Sequence, residues 1–240
     1  MIEIQHLNKT FDRQKVLNDI SLSFKPGQSV ALIGPNGSGK TTLIKTILGM
    51  VRPESGDILF KGTSILGGSE YRRTIGYMPQ IQRFPEHMRV RQLFSLMQDL
   101  RKDVREEEYD RTLYRNFDVP SMAGKKLGQL SGGMKQKVSA ALAFLFDPEV
   151  LILDEPTAGL DPVSNEILKD QLRLSLEQGK LVLITSHILS DLDEITTDVA
   201  YLMDGKLTFY RTLEDLKKET SEDRLNRMIA KVLKSENSYV

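Results

Sequence analysis

Gly34-Pro35-Asn36-Gly37-Ser38-Gly39-Lys40-Thr41, followed by Thr42, is a complete G-x-x-x-x-G-K-[S/T] run. Residues of these types at this spacing hold phosphate. The glycines let successive backbone N–H groups curl around anionic oxygens, and a helix beginning at the end of the run adds positive potential. Lys40 can reach the outer phosphates of a nucleotide, and Thr41 can offer its hydroxyl to Mg²⁺. A second run, Val150-Leu151-Ile152-Leu153-Asp154-Glu155, delivers two carboxylates together at the end of an apolar stretch. There Asp154 can hold Mg²⁺ through water, while Glu155 can polarise an attacking water as general base. A third, Leu130-Ser131-Gly132-Gly133-Met134-Lys135-Gln136, is another glycine-rich helix start. It offers a second anion-binding N-terminus, but no lysine and hydroxyl pair follows it as in the first.

These groups need a frame to converge. Val30 to Ile33, Val150 to Leu153 and Leu181 to Ile184 are uninterrupted apolar runs, the pattern of strands buried on both faces of a parallel sheet. The phosphate loop follows the first of them and precedes the apolar helix Leu43 to Leu48, which is the context that motif requires. The paired carboxylates fall at the C-terminal edge of the second, where open α/β sheets place their ligands. Ile2, Ile4, Ile20, Leu22 and Phe24 alternate with polar residues and end at Pro26-Gly27, predicting a half-exposed antiparallel lobe at the N-terminus. Between Arg89 and Phe146 the strand pattern gives way to charge-rich, helix-favouring sequence, including Leu93 to Arg101 and Arg105 to Arg115, read as a helical lobe inserted into an α/β core. A strand around Leu207 to Tyr210 leads to an amphipathic tail with Leu213, Leu216, Leu225, Met228, Ile229 and Val232 on helical spacing.

Composition narrows the class. Within 240 residues Lys plus Arg equals Asp plus Glu at 33 each, so the basic footprint of a dedicated nucleic-acid binder is missing and no nucleic-acid partner is expected. No cysteine is present, which excludes disulfides and thiolate metal sites. The longest apolar stretch, Ala140 to Phe146, is far short of the ~20 residues a membrane-spanning helix needs. The start carries no basic segment followed by an apolar one, so no secretory signal is expected.

With its Ser131-Gly132-Gly133 element placed shortly before the second carboxylate strand, the sequence resembles the ABC-transporter nucleotide-binding domain family over residues 2 to about 210. Gln80 in Gly76-Tyr77-Met78-Pro79-Gln80 resembles the Q-loop, Ala158-Gly159-Leu160-Asp161 the D-loop, and His187 in Thr185-Ser186-His187 the switch histidine. The resemblance implies an α/β fold of the P-loop NTPase (ABC ATPase) type: a RecA-like core, an N-terminal antiparallel β subdomain and an inserted α-helical subdomain. Its division would be 1–80 and 148–210 for β lobe and core, 81–147 for the helical signature subdomain, and 211–240 for a helical tail. It further implies ATP and Mg²⁺ as ligands, with Thr41, Gln80 and Asp154 around the metal, and Lys40, Glu155 and His187 as the catalytic set. Phe11, where tyrosine is more typical, would stack on adenine beside Val16. Met134 stands where the family has glutamine, a change expected to tune the helix entry without removing the Ser131 contacts.

The family joins two such domains head-to-tail, so a homodimer or a paired nucleotide-binding subunit is expected. Ser131, Gly132 and Gly133 would close over the γ-phosphate held by the partner's phosphate loop, with Asp161 communicating across the dimer. Integral membrane permease subunits would dock near Gln80 to Phe94, where Ile81, Phe84, Met88, Leu93 and Phe94 either line the groove or, some of them, pack in the core, which places the chain on the cytoplasmic face of a membrane. The alternative is a soluble ABC ATPase acting on nucleic acid or ribosomes, but those relatives carry a long coiled-coil insertion or two such domains in one chain. The short tail is similar to bacterial ABC-2 exporter motors. A weaker resemblance over Gln171 to Glu219 points to motors of copper-delivery systems that mature nitrous oxide reductase. His6, His87 and His187 are scattered, so metal cargo would not be bound by this subunit.

Overall fold

The structure is a computed structural model and describes residues 1–237. Strands β1 (Ile2–Phe11) and β2 (Gln14–Phe24) form a hairpin whose two connecting residues, Asp12 and Arg13, both have positive φ (45° and 73°). That is the turn geometry matching the right-handed twist of paired strands. After β3 (Ser29–Ile33) and helix α1 (Lys40–Ile47), the chain adds β4 (Ser55–Phe60) against β1 and the short β5 (Thr63–Ser64). The result is a four-stranded antiparallel sheet, in the order β2-β1-β4-β5, at the N-terminal end.

The second sheet gathers β3 with β6 (Ile75–Met78), β7 (Val150–Asp154), β8 (Leu181–Thr185), β9 (Asp198–Met203) and β10 (Lys206–Thr212) in the order β10-β9-β3-β8-β7-β6. Its pairings are parallel except the one between β9 and β10. Every residue of β3, β7 and β8 is buried. Successive side chains divide between two cores: Ala31, Leu151, Leu153, Val182 and Ile184 on one face, Val30, Leu32, Val150, Ile152, Leu181 and Leu183 on the other. This explains the unbroken apolar runs, since alternate residues leave the sheet on opposite sides and neither side meets water.

One core is closed by α1 and the antiparallel sheet. The other is closed by α2 (Val90–Leu100), α3 (Thr112–Asn116), α4 (Val119–Met122), α5 (Gly132–Phe144), α6 (Pro162–Glu177), and α7 (Leu213–Thr220) with α8 (Leu225–Asn237). The tail therefore packs back on its own domain through Leu216, Leu225, Met228, Ile229 and Val232. Residues 238–240, the end of the expected tail, lie outside the described residues.

One sequence expectation is corrected here. Arg105 to Arg115 is not one helix but a 3-10 turn at Glu106–Glu108, an extended link and α3. Tertiary contacts override helix propensity in that link. The Tyr109 ring packs edge-on to Phe146 at 5.5 Å, Asp110 N–H donates to Leu145 O (2.9 Å), and the Asp110 carboxylate accepts from Gln171 (2.9 Å).

Gly76 on β6 sets how closely α5 approaches the sheet. A Cβ there would stand 2.0 Å from the Ala143 carbonyl oxygen. Gly76→Ala is expected to destabilise the fold by roughly 1 to 3 kcal/mol through forced backbone displacement. An unchanged thermal midpoint would show that α5 lifts off β6 freely.

Candidate active site

The phosphate loop owes its path to three glycines. Gly34, Gly37 and Gly39 have φ of 152°, 80° and 104°, and a Cβ on Gly34 or Gly39 would meet Leu202 O at 2.0 Å or Val16 O at 2.6 Å. Backbone here runs where only glycine fits without strain. The Lys40 ammonium folds back across the curl, donating to Gly34 O (2.7 Å) and Pro35 O (3.0 Å). Its partial burial lowers its pKa below the ordinary lysine value, against the opposing pull of Asp154 and Glu155. Ser38 Oγ is buried with no hydrogen-bond partner among the described residues, a donor pointing to a missing acceptor such as a phosphate oxygen.

The parallel register brings the other elements to this loop. Asp154, at the end of β7, is buried and lies opposite Thr185 of β8, whose hydroxyl donates to its carboxylate. Glu155 follows with a positive φ of 54°, and its N–H is held by Thr185 O (3.1 Å) and Oγ1 (3.2 Å). Its Oε1 accepts from Gln80 Nε2 (2.9 Å) and lies 2.7 Å from His187 Nε2. One cavity is thus lined by Val16, by 36–42 of the loop and helix start, and by Gln80, Asp154, Glu155 and His187. Thr42 is among them, and Pro35 lends its carbonyl to Lys40.

The Thr41 hydroxyl, the Gln80 amide and the Asp154 carboxylate are hard oxygen donors. Among the described residues there is no cluster of three or more His, Cys, Asp or Glu that could hold a metal. One carboxylate, a hydroxyl and substrate phosphates suit Mg²⁺ better than an all-protein cage would.

Other expected residues lie elsewhere. Ser131, Gly132 and Gly133 open α5 away from that cavity; Ser131 and Gly132 are exposed, and the Ser131 hydroxyl caps the helix by accepting from Met134 N–H (3.3 Å). Met134 packs against the core, so its presence leaves this cap intact. Asp161 caps α6 by accepting from Ser164 N–H (2.9 Å) and is held by Lys137 of α5 at 2.9 Å, which keeps its carboxyl well below the usual carboxylate range. Phe11 does not line the cavity. It is 44% exposed, with the Lys9 ammonium 5.0 Å from its ring centroid.

Beside Gln80 is a groove of about 490 Å³, lined by Tyr77, Phe84, Leu93 and Met97 from one side and Leu142 and Phe146 from the other. Phe94, a candidate for that lining, turns into the core against Tyr114 at 4.8 Å instead. Met88 is partly buried against the same core, and Ile81 is exposed outside the groove. Three residues behind the site, Thr185, Gln82 and Gln136, are not site candidates from sequence. For Thr185 the signal was available, because a hydroxyl one strand over from Asp154 is set by sheet register.

Fold and site together define a P-loop NTPase cassette, with the phosphate loop, the paired carboxylates and a second glycine-rich helix start in one α/β unit. The profile of the family described as ABC transporter matches residues 17–158. The chain is 34% identical over 222 residues to ABC transporter ATP-binding protein YtrB of Bacillus subtilis (strain 168), covering 91% of this chain and 74% of that one. It is 32% identical over 209 residues to Nod factor export ATP-binding protein I of Burkholderia pseudomallei (strain 1710b), covering 85% and 68%. A solved ATP-binding subunit of an ABC transporter superposes with a TM-score of 0.89 at 30% identity, over 97% of this chain and 99% of that one. The dimeric bacterial cassette MJ0796 shares the fold at a TM-score of 0.77 and 24% identity, over 89% and 99%. The chain belongs to the ABC transporter family, as an ATP-binding subunit with an ABC-type ATPase domain. No helix among the described residues is long and apolar enough to cross a membrane.

Proposed function

We propose that this chain hydrolyses Mg-ATP at two composite sites in a head-to-tail dimer and thereby drives separate membrane permease subunits. One observation carries the reading. The Lys40 cavity gathers catalytic groups, while the helix start at Ser131 to Gly133, with Ser131 and Gly132 exposed, lies outside it, so each chain holds unlike halves of two sites.

In this reading the loop amides and Lys40 hold the β- and γ-phosphates, and incoming phosphate oxygens displace the Gly34 and Pro35 carbonyls from the ammonium. Mg²⁺, held by Thr41 and Asp154 with Gln80 near, would neutralise charge developing on the phosphate oxygens. Glu155 takes the proton of the attacking water. Gln80 and His187 both grip its Oε1, which aims the carboxylate and leaves Oε2 for the water. The partner's Ser131, Gly132 and Gly133 complete the γ-phosphate cage, and Asp161, tied to α5 through Lys137, links the two sites. Phe11 with Val16 receives the adenine once Lys9 moves off the ring.

The segments 1–80 with 148–210, 81–147 and 211–240 would serve as core, helical signature subdomain and tail. The groove beside Gln80 is the docking place for a permease segment, a position that ties cargo movement to Gln80. Relatives named for transport and export favour a membrane motor of the ABC-2 exporter type, on the cytoplasmic face, over a soluble ATPase acting on nucleic acid or ribosomes.

Mixing two dead variants tests the composite site. Lys40→Ala lacks one half, Ser131→Arg blocks the other, and each alone should be inactive. A mixed head-to-tail dimer holds one intact site, so the mixture should regain a sizeable share of parental ATP turnover. A mixture no more active than its components would sink the head-to-tail arrangement.

A further inference from the structure

Gln136 lies on α5, five residues beyond the Ser131 cap, and is 3% exposed. A buried side-chain amide must find partners, and the partners here are unusual. Its Nε2 donates to two successive backbone carbonyls, Glu155 O (3.0 Å) and Pro156 O (2.9 Å). Its Oε1 accepts from Gln82 Nε2 at 2.5 Å. The Gln82 amide also donates to Pro79 O (2.9 Å) and, more weakly, to Gln80 O (3.4 Å).

The reason for such a clamp is in the backbone it grips. Glu155 sits in the left-handed region at a φ of 54°, a strained conformation for a residue with a side chain, which persists only where the surroundings impose it. Thr185 imposes it from one side by holding the Glu155 N–H. Leaving the strand this way turns the next two carbonyls off the β7–β8 ladder, which ends at the Asp154–Thr185 pair. Gln136 satisfies both from the other side. The carboxylate itself is then aimed by Gln80 and His187.

We infer that Gln136 is a positioning residue for the hydrolytic base: it locks the left-handed backbone of Glu155 and, through Gln82, holds the backbone on either side of Gln80 in register with the signature helix. The inference rests on the reading of Glu155 as general base. Its consequence is that α5 cannot shift against β7 without loosening both the base and the amide beside it. Neither glutamine lines the Lys40 cavity, so binding and turnover should separate.

The test compares full-length parent, Gln136→Met and Gln82→Met in ATP turnover at saturating Mg-ATP, ATP affinity by displacement of a fluorescent nucleotide, and thermal midpoint. Methionine keeps length and volume but removes the amide. For Gln136→Met we expect kcat to fall by about 10- to 100-fold, the size of loss that a displaced catalytic group produces. Its ATP affinity should stay within about twofold of parent. Gln82→Met, which leaves Gln136 to satisfy the carbonyls, should lose about 3- to 10-fold in kcat with affinity likewise kept. A folded Gln136→Met with kcat within about twofold of parent, or one losing kcat and affinity in proportion, would overturn the inference. Should Gln136→Met fail to fold, Gln82→Met decides by the same criterion. A parent that binds ATP without turning it over would instead sink the role of Glu155, and this inference with it.

Discussion

Glu155→Gln should abolish ATP turnover while leaving ATP binding intact, and the protein should collect as an ATP-dependent dimer. General-base assistance is worth about 10²- to 10⁴-fold, and the substitution replaces the carboxylate placed to take the proton of water with an amide that cannot take it. Geometry is preserved, because the replacing amide keeps an oxygen that can accept from Gln80 and His187 where Oε1 now does. Binding should not suffer, since a negative charge is withdrawn from beside the phosphates and the loop and Lys40 are untouched. Turnover assays beside size-exclusion chromatography in Mg-ATP check both halves. Loss of ATP binding along with turnover would mean that Glu155 supports the site's structure and does not act on water.

Lys40→Met should fail one step earlier, in binding. The ammonium makes two hydrogen bonds to loop carbonyls at 2.7 and 3.0 Å, and each charged hydrogen bond transferred to phosphate is worth about 1.5 to 3 kcal/mol. An affinity loss on the order of 10²-fold or more follows at 1.4 kcal/mol per tenfold. Displacement of a fluorescent nucleotide measures it; a loss under about threefold would show that the backbone amides alone hold the phosphates. The parent should show a related pH dependence. Burial lowers the Lys40 pKa from 10.5 in the free protein, whereas bound phosphate raises it again. Affinity is therefore full below the lowered value and declines as pH rises through it, before an ordinary lysine would titrate.

The phosphate loop, both carboxylates and the Ser131 helix start are legible from residue type and spacing, because each needs a particular side chain at a particular strand or helix end; His187 is legible only through the family resemblance. The buried strands are legible too, since burial on two faces leaves unbroken apolar runs. The antiparallel β4 and the strands β6 and β9 are not legible as strands in the sequence. Each has at most six residues, and β4 and β9 begin on polar residues that mask the period. Sequence leaves Phe94 open between groove and core, because a helix's apolar face does not say which neighbour it meets, and the fold puts it in the core. The left-handed turn at Glu155, and Gln82 and Gln136 behind it, had no local signal, since they are defined by contacts across 54 and 19 residues of chain.

The strand order of the parallel sheet also bears on how the chain is made. β3 lies between β8 and β9, and Ser29 pairs with Val182, 153 residues later (182 minus 29). At about 5 to 20 residues per second on the ribosome, roughly 8 to 30 s pass before its first neighbour emerges. The strand pairings of the antiparallel sheet need nothing beyond residue 64. The nascent protein therefore carries an early hairpin lobe beside an unpaired strand whose residues Val30 to Ile33 are all apolar. Synonymous changes that slow translation between residues 65 and 181 should lengthen that exposure, and with it the demand on chaperones.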